Sequence, residues 1–338
     1  MASTVFGVLP DGKEVSVFTV KNKNGLELSA MNYGGRITSL LVPDANGTFG
    51  NVVLAYDSLD KYLSDTDYVG AIIGRCAGRI SNAQFLLDGK QYNLNKNEGQ
   101  NSLHGGSKGF HTKWWHIQEK RAREGNALRL TASSLDGEEG YPGKLNVEVW
   151  YILTDSNELL IRYSAVCNKK TVVNLTNHTY YNLSAGVDAT VENHTLQVKT
   201  NYFLKLNEQK CPVGEFLSVD GSALDFRQAK QIGEGLDLSE EQILLTKGID
   251  HCFVVPTSKD FVVRYDDEKT GRILEITTGE PGIQVYSGNF LKHKPYAAIA
   301  FEPQHFPDAV HHKNFPSVVL YPGQEYSSES RYAFKVRE

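Results

Sequence analysis

Short stretches in which apolar and polar residues alternate recur along the whole chain, and they predict strands. Each stretch is rich in β-branched or aromatic residues and is bounded by Gly, Asn, Asp or Pro, as is typical of strands that end in turns. The stretches are EVSVFTV, LELSAMNYGG, ITSLLVP, NVVLAY, ALRLTA, LNVEVWYILT, ELLIRYSAV, HTLQVKT, FVVRYD, RILEITT, GIQVYSG and SVVLYPG. Only SLDKYLS and LSEEQILLT have a spacing that allows a helix, and both are short.

The segments between these stretches have the composition of tight turns. PDGK, KNKNG, PDANG, LDGK and SLDGEEGYPG contain Asn-Gly, Asp-Gly or Pro, which are residues that antiparallel hairpins use. The 30 glycines are spread evenly, and no low-complexity segment or linker interrupts the 338 residues. We therefore expect an all-β fold, a single large antiparallel β-sandwich that forms one domain over residues 1–338.

The stretch TNHTYYNLSAG places a histidine within a pattern that predicts a strand. If this strand starts at residue 171, its apolar residues share one face, and the other face carries Asn174, Thr176, His178, Tyr180 and Asn182. Amide, hydroxyl, imidazole and phenol groups make a poor core. They fit either an exterior surface or a pocket for a hydroxylated ligand.

A second polar face is predicted near the C-terminus, in AAIAFEPQHF. There Glu302 and Gln304 alternate with apolar residues and share their face with Ala298 and Ala300. Because alanine side chains are small, we expect this face to leave volume that a ligand could fill.

Two further stretches place polar groups beside predicted strands. In GIQVYSGNF, Gln284 and Tyr286 lie on the face that points away from the core. In KGIDHCFVV, Asp250 immediately precedes an apolar run, where an aspartate either caps a turn or serves a ligand.

Two glycine-containing stretches carry an arginine and a histidine that could reach a pocket. Arg79 lies in GRCAGRI, where a buried guanidinium would need either an internal ion pair or a ligand rich in hydroxyl groups. His104 lies in NSLHGG, whose glycines allow the backbone to approach a ligand closely but also fit a plain turn.

Charge and cysteine content exclude several classes of partner. The formal net charge is −5, which disfavours nucleic acid and anionic membranes because both attract basic surfaces. We find neither an apolar run long enough to span a membrane nor the pattern of a signal peptide. The four cysteines are far apart and form no C-x-x-C pair, so we expect a reduced, cytoplasmic protein with buried thiols.

No sequence motif for a metal, a dinucleotide, a phosphate loop or a nucleophile elbow is present. Six further histidines lack the spacing of metal ligands, and we expect them to be ordinary surface or packing residues. They are His111, His116, His194, His293, His311 and His312. The residues thus point to acid–base chemistry on a carbohydrate or to carbohydrate binding, without metal.

The order of these motifs resembles that of the aldose 1-epimerases, the galactose mutarotases. The matching stretches are GRCAGRI with NAQFLLDGKQYNL and NSLHGG, then TNHTYYNL, DHCF, GIQVYSGNF and FEPQHFPDA, and they extend over residues 5–334. The resemblance implies one large β-sandwich that binds a small aldose on its open face, without a cofactor, as a monomer or homodimer. Two departures concern the pocket rim: Gly78 replaces an Asn that is common in the family, and the loop Leu291–Ala297 is short.

The resemblance also implies roles for individual residues. His178 matches the general acid and Glu302 the general base of an anomer interconversion. Arg79, His104, Asp250 and Gln284 match the family's sugar-binding positions. We also expect Gly78, Thr179 and Tyr180 to contact the sugar. With reference pKa values of about 6.5 for His and 4.3 for Glu, we expect the Glu302 carboxylate to be ionised and to hold His178 protonated.

Three alternatives remain open at this point. A hexose-6-phosphate 1-epimerase would use the same chemistry with additional cationic side chains near C6 of the sugar. A non-catalytic carbohydrate-binding sandwich would lack the histidine or the glutamate, and both are present. A glycosidase would need two carboxylates at a set separation, for which only Glu302 and Asp250 are candidates.

Overall fold

The computed structural model describes residues 3–256, 260–292 and 294–337. Strands β1 to β10 span Ser3–Val8, Glu14–Lys21, Glu27–Met31, Ile37–Pro43, Phe49–Asn51, Ile72–Ile73, Arg79–Ile80, Gln84–Leu87, Lys90–Asn93 and Ser102–Leu103. Strands β11 to β20 span His116–Arg121, Gly125–Ser134, Leu145–Thr154, Glu158–Cys167, Thr171–Val172, Thr176–Asn177, Tyr180–Tyr181, Thr195–Val198, Tyr202–Leu206 and Pro212–Ser218. Strands β21 to β28 span Lys230–Gln231, Asp250–Val254, Val263–Asp266, Arg272–Thr278, Gly282–Tyr286, Ile299–Gln304, Val319–Leu320 and Glu325–Val336.

Helical structure is sparse in these ranges. Helix α1 spans Leu59–Leu63 and helix α2 spans Glu241–Thr246, within the two stretches predicted to be helical. Four 3-10 turns span Ser81–Ala83, Phe110–Thr112, Glu138–Gly140 and Ile232–Gly235. None of the described helices combines the length and the apolar character that crossing a membrane would need. His293 lies outside the described residues.

Three antiparallel sheets carry most of the strands, which confirms the predicted all-β fold. The largest sheet has nine strands in the order β11-β12-β13-β14-β28-β24-β23-β18-β21. A six-stranded sheet has the order β17-β26-β25-β22-β19-β20, and a five-stranded sheet runs from β1 to β5 in chain order. Short two-stranded pairings join the loops between them.

One apolar core lies between these sheets. It combines Leu130, Val149 and Tyr332 of the nine-stranded sheet with Ile283 and Phe301 of the six-stranded sheet, and all are at most 2% exposed. Burial of side chains of this size stabilises a fold by about 1.5–3 kcal/mol each relative to exposure. The four cysteines are free and buried, as expected.

The segment from residue 171 to residue 182 is not the single strand that its alternation predicts. It forms β15, β16 and β17, of two residues each, which pair with β27, β6 and β26 respectively. Each of these three short strands therefore pairs with a different strand of the fold. Its residues are nevertheless almost completely buried.

A buried ion pair holds the loop between α1 and β6. The Arg36 guanidinium donates to Asp65 Oδ2 at 2.6 Å, and the two side chains are 1% and 0% exposed. Asp65 also accepts hydrogen bonds from the backbone N–H groups of Asp67 at 2.9 Å and Val69 at 3.0 Å. The Asp65 carboxylate thus neutralises the buried charge of Arg36. It also holds the backbone of the loop that carries Tyr68.

We expect Asp65→Ala to lower the free energy of unfolding by about 3–5 kcal/mol, because it leaves the Arg36 charge buried without its partner. The matched control is Asp57→Ala, since Asp57 pairs with Lys61 on the surface, where both side chains are more than half exposed. Urea unfolding followed by circular dichroism measures both variants. Equal stability of the two variants would show that the Arg36–Asp65 pair is not structural.

Candidate active site

An open cavity of about 970 Å³, counting its mouth, lies on the face of the six-stranded sheet away from the core. It collects side chains from distant parts of the sequence. Its lining includes Gly78, Arg79, His104, His178, Tyr180, Asp250, Gln284 and Glu302. These are eight of the nine site residues expected from the sequence.

The register of the six-stranded sheet aligns the groups on the cavity floor. Gln284 lies directly opposite Glu302 in the pairing of β25 with β26, and Cys252 lies opposite Gln284 in the pairing of β22 with β25. In a neighbouring row, Asp250 pairs with Tyr286. Residues that face each other across a sheet, or are two apart along a strand, share a face, so all five point into the cavity.

His178 and Glu302 meet at the buried end of the cavity. The Nε2 atom of His178 lies 3.6 Å from Oε1 of Glu302, and the side chains are 6% and 3% exposed. The backbone of His178 is fixed, because its N–H donates to the carbonyl of Ala71 and its carbonyl accepts from the N–H of Gly70. Nδ1 of His178 and Oε2 of Glu302 are themselves buried and bond to no described residue.

Burial changes the ionisation expected for this pair. It lowers the pKa of His178 to about 4, and the carboxylates of Asp65 and Asp250 raise that pKa by less than burial lowers it. Burial likewise raises the pKa of Glu302 well above its usual value, and the charge of Asp250 raises it further. Both pKa directions, set mainly by burial, therefore run against the expectation that Glu302 is ionised and holds His178 protonated in the free site.

Arg79 forms the internal ion pair that was one of its two expected environments, and it also lines the cavity. Its guanidinium donates three hydrogen bonds to the Glu98 carboxylate at 2.7–3.1 Å. Nη1 lies 4.0 Å from Asp250 Oδ2, and the side chain lines the cavity. Gln284 Nε2 donates to Asp250 Oδ1 at 2.7 Å. Arg79, Asp250 and Gln284 therefore form one charged and hydrogen-bonded wall.

His104 and Gly78 line the cavity next to Arg79, since β7 and β10 pair through Arg79 and Leu103. Gly78 N–H donates to Nδ1 of His104 at 3.3 Å. Burial lowers the pKa of His104 well below its usual value, so its ring is neutral. A Cβ atom at Gly78 would lie 2.7 Å from Cβ of Pro307, and the backbone φ of +72° disfavours most side chains. The glycine thus fits a narrow gap against Pro307.

The structure differs from two expectations about residues near the cavity. Thr179 does not line the cavity; its hydroxyl donates to the side chain of Asn177 within the same segment. Ala298 and Ala300 are fully buried in an apolar cluster with Tyr180 and Leu291, so the volume beside them is filled by protein. The cavity instead adjoins Glu302 and Gln304, which lie further along the same strand.

The cavity also contains residues that sequence reasoning did not assign to the site. Tyr68 comes from the loop before β6 and packs edge-on against His104, with ring centroids 4.7 Å apart. Gln304 is 1% exposed, and neither its Oε1 nor its Nε2 has a partner among the described residues. Gln304 was recognisable from its alternation with Glu302, whereas Tyr68 and Glu98 lie in loops whose sequences carry no such signal.

Donor atoms of His104, His178 and Glu302 lie within 4.8 Å of one another. Such a group could hold a metal ion, although two imidazoles and a carboxylate also serve acid–base chemistry. The expectation of a site without metal stays a prediction.

Comparisons with known proteins agree across almost the entire chain. The family model described as Aldose 1-epimerase matches residues 16–333. Galactose mutarotase of Bos taurus is 39% identical over 345 residues, covering 98% of each chain. Aldose 1-epimerase of Escherichia coli strain K12 is 35% identical over 341 residues, covering 96% of each chain.

Solved structures give the same result for the fold. The GalM/aldose epimerase homologue from C. elegans superposes with a TM-score of 0.88 at 32% identity, covering 96% of this chain and 100% of that one. Galactose 1-epimerase from Lactobacillus acidophilus NCFM superposes with a TM-score of 0.89 at 27% identity, covering 99% and 98%.

We expect His178 to be uncharged at pH 7 in the free protein and to take up a proton only near pH 4, because burial lowers its pKa. Nitrogen-15 NMR of the imidazole groups measures this directly. His311 is an internal reference, since its hydrogen bond to Asp308 raises its pKa and it should be charged at a higher pH than His178. A charged His178 at pH 7 would contradict the dominance of burial.

Proposed function

The chain belongs to the aldose 1-epimerase family, and from this membership we propose that it is a mutarotase, an isomerase that interconverts the α and β anomers of free aldohexoses such as galactose and glucose. The observation that carries the proposal is the pairing of His178 with Glu302, 3.6 Å apart, at the buried end of an open cavity. Both oxygens that exchange protons in this reaction, O1 and the ring oxygen O5, are bonded to C1. An acid and a base this close together can therefore serve both.

The proposed reaction moves two protons and breaks one bond. Glu302 removes the proton of the C1 hydroxyl while His178 donates a proton to O5, so that the C1–O5 bond breaks and an aldehyde forms. Rotation about the C1–C2 bond then presents the other face of the carbonyl. On closure His178 takes back the proton from the C5 hydroxyl as O5 attacks C1, and Glu302 returns its proton to O1.

This cycle requires one proton on the pair, on His178 when the ring opens. In the free site, burial favours the proton on Glu302. A bound sugar acts in the other direction, because a C1 hydroxyl that donates to Glu302 favours the carboxylate and an O5 that accepts from His178 favours the imidazolium. Glu302 lines the cavity, and its Oε2 has no partner among the described residues, so no internal hydrogen bond to that oxygen competes with the sugar.

The remaining cavity groups suit the binding of a pyranose. The Asp250 carboxylate accepts hydrogen bonds from sugar hydroxyls, while Arg79, Gln284 and the unpartnered amide of Gln304 donate to them. Tyr68 and Tyr286 supply ring faces for the apolar C–H groups of the sugar. Holding the sugar in one orientation between acid and base supplies a large part of such a rate enhancement.

We also propose that the chain acts in the cytoplasm as one domain over residues 1–338, as a monomer or homodimer and without a cofactor. The free cysteines are consistent with a reducing compartment.

A hexose-6-phosphate 1-epimerase is the second candidate, because Lys210 lines the cavity and lies over the Phe290 ring, 4.4 Å from its centroid. The arginine of the cavity lining, Arg79, already pairs with Glu98 and lies near Asp250. We therefore expect a higher kcat/KM for galactose and glucose than for glucose 6-phosphate. Polarimetry with the free sugars and NMR of the anomers of the phosphate measure the three rates, and a preference for the phosphate would favour the second candidate.

We expect Glu302→Gln to lower kcat for galactose mutarotation by ~10²–10⁴-fold with little change in galactose binding, since the amide keeps the shape but takes no proton. Polarimetry measures kcat and isothermal calorimetry measures binding. Glu280→Gln is the matched control: Glu280 is a similarly buried carboxylate, but it bonds to His305 and does not line the cavity. Wild-type kcat in Glu302→Gln would transfer the role of base to Asp250.

A further inference from the structure

A second cluster of titratable side chains lies outside the cavity, where β18 and β23 end side by side. His194 immediately precedes β18, and Asp267 immediately follows β23. The two strands pair through Thr195 and Asp266, so His194 and Asp267 face each other just beyond the ladder. Asp188 joins them from the loop between β17 and β18.

The donor atoms of this cluster converge on one point. His194 Nε2 lies 3.8 Å from Asp267 Oδ1 and 4.0 Å from Asp188 Oδ2. One donor atom from each of the three residues lies within 4.8 Å of the others. The side chains of His194 and Asp267 are 1% and 3% exposed, and that of Asp188 is 17% exposed.

Two of these atoms lack any partner among the described residues. Neither His194 Nε2 nor Asp188 Oδ2 makes a hydrogen bond there, although both are buried. A protonated Nε2 that served only these carboxylates would form a charge-assisted hydrogen bond of about 2.7–2.9 Å, much shorter than the observed separations. The separations therefore leave room for one further atom between the three side chains. Buried polar atoms without any partner are rare in proteins.

Surrounding contacts orient the three side chains toward that point. The other ring nitrogen of His194, Nδ1, is hydrogen-bonded to the hydroxyl of the buried Tyr265 at 2.6 Å. Asp267 Oδ2 accepts from the hydroxyl of Thr270 at 2.6 Å and from its N–H at 3.1 Å, while Oδ1 accepts only a long bond of 3.3 Å from the N–H of Lys269. Lys269 Nζ donates to Asp188 Oδ1 at 2.5 Å, which leaves Oδ2 facing His194.

We propose that Asp188, His194 and Asp267 form a structural site for a divalent transition-metal cation, best suited to zinc, that connects the β17–β18 loop to the β18/β23 edge of the nine-stranded sheet. One imidazole with two carboxylates is a donor set that zinc accepts, with bonds of about 2.0–2.2 Å, and water completes the coordination. Two such bonds at a tetrahedral angle place the donors about 3.3–3.6 Å apart. The observed separations of 3.8 and 4.0 Å therefore need to shorten by a few tenths of an ångström, through small movements of the Asp188 and Asp267 side chains. The hydrogen bond of the second imidazole nitrogen to Tyr265 fixes the orientation of the ring, which is what outer contacts do for histidines that bind metal.

The test measures zinc bound by the full-length protein after treatment with a chelator, by equilibrium dialysis and elemental analysis. Because His104, His178 and Glu302 form another group that could bind zinc, the measurement is made in a His178→Asn background. We expect one zinc to remain bound there and to raise Tm by mass action. Asp188→Asn in the same background should weaken zinc binding more than ~10-fold. Lys269→Gln should strengthen it, since it removes the cation that competes for Asp188.

Asp220→Asn is the matched control, because Asp220 is an exposed carboxylate paired with Arg227, and zinc affinity should not change. The proposal is overturned if the His178→Asn protein binds no zinc, if Asp188→Asn binds it equally well, or if Mg²⁺ or Ca²⁺ binds more tightly than zinc. Should Asp188→Asn not fold, the opposite effect of Lys269→Gln still decides, since unchanged affinity in that variant would also contradict the site. None of these results depends on mutarotase activity.

Discussion

The position of β26 between β17 and β25 is the constraint on which the rest of the site depends. Because side chains alternate along a strand, a slip of one residue would turn Glu302 into the core and Phe301 into the cavity. The core opposes that slip, since Ile299 and Phe301 are fully buried between the sheets. The apolar packing on one face of β26 therefore sets the chemistry on the other.

The segment 171–182 secures the same register from the other side. Asn174 exchanges two hydrogen bonds with the backbone of His305, and the hydroxyl of Thr176 donates to the carbonyl of Pro303. These side chains share an alternating pattern with His178 but satisfy the backbone of the strand that carries Glu302. The polar face recognised in the sequence thus has two uses: part of it holds β26 in place, and His178 and Tyr180 extend into the cavity.

How much of this was predictable depends on whether the deciding contacts are local in sequence. Strands such as β13 and β24 were predicted with their observed bounds because their apolar residues alternate. β28, the longest strand, was missed because two of its buried residues, Ser328 and Ser330, are polar. Glu98 became recognisable only once the fold brought it to Arg79. The predicted protonation of His178 disagrees with the structure for a related reason. The pKa of His178 depends on burial by residues that are far away in the sequence.

Burial of His178 and Glu302 lowers the stability of the folded protein. Burial raises the pKa of Glu302 in the folded protein, so folding loses stability as pH rises above about 4.3, where the unfolded chain ionises freely. Burial lowers the pKa of His178 to about 4, so folding also loses stability as pH falls from about 6.5 toward 4, where the unfolded chain takes up a proton first. Between these values both penalties act together. A sugar bound between the two groups would relieve both penalties, because its hydroxyl and ring oxygen would supply the hydrogen bonds that burial removes.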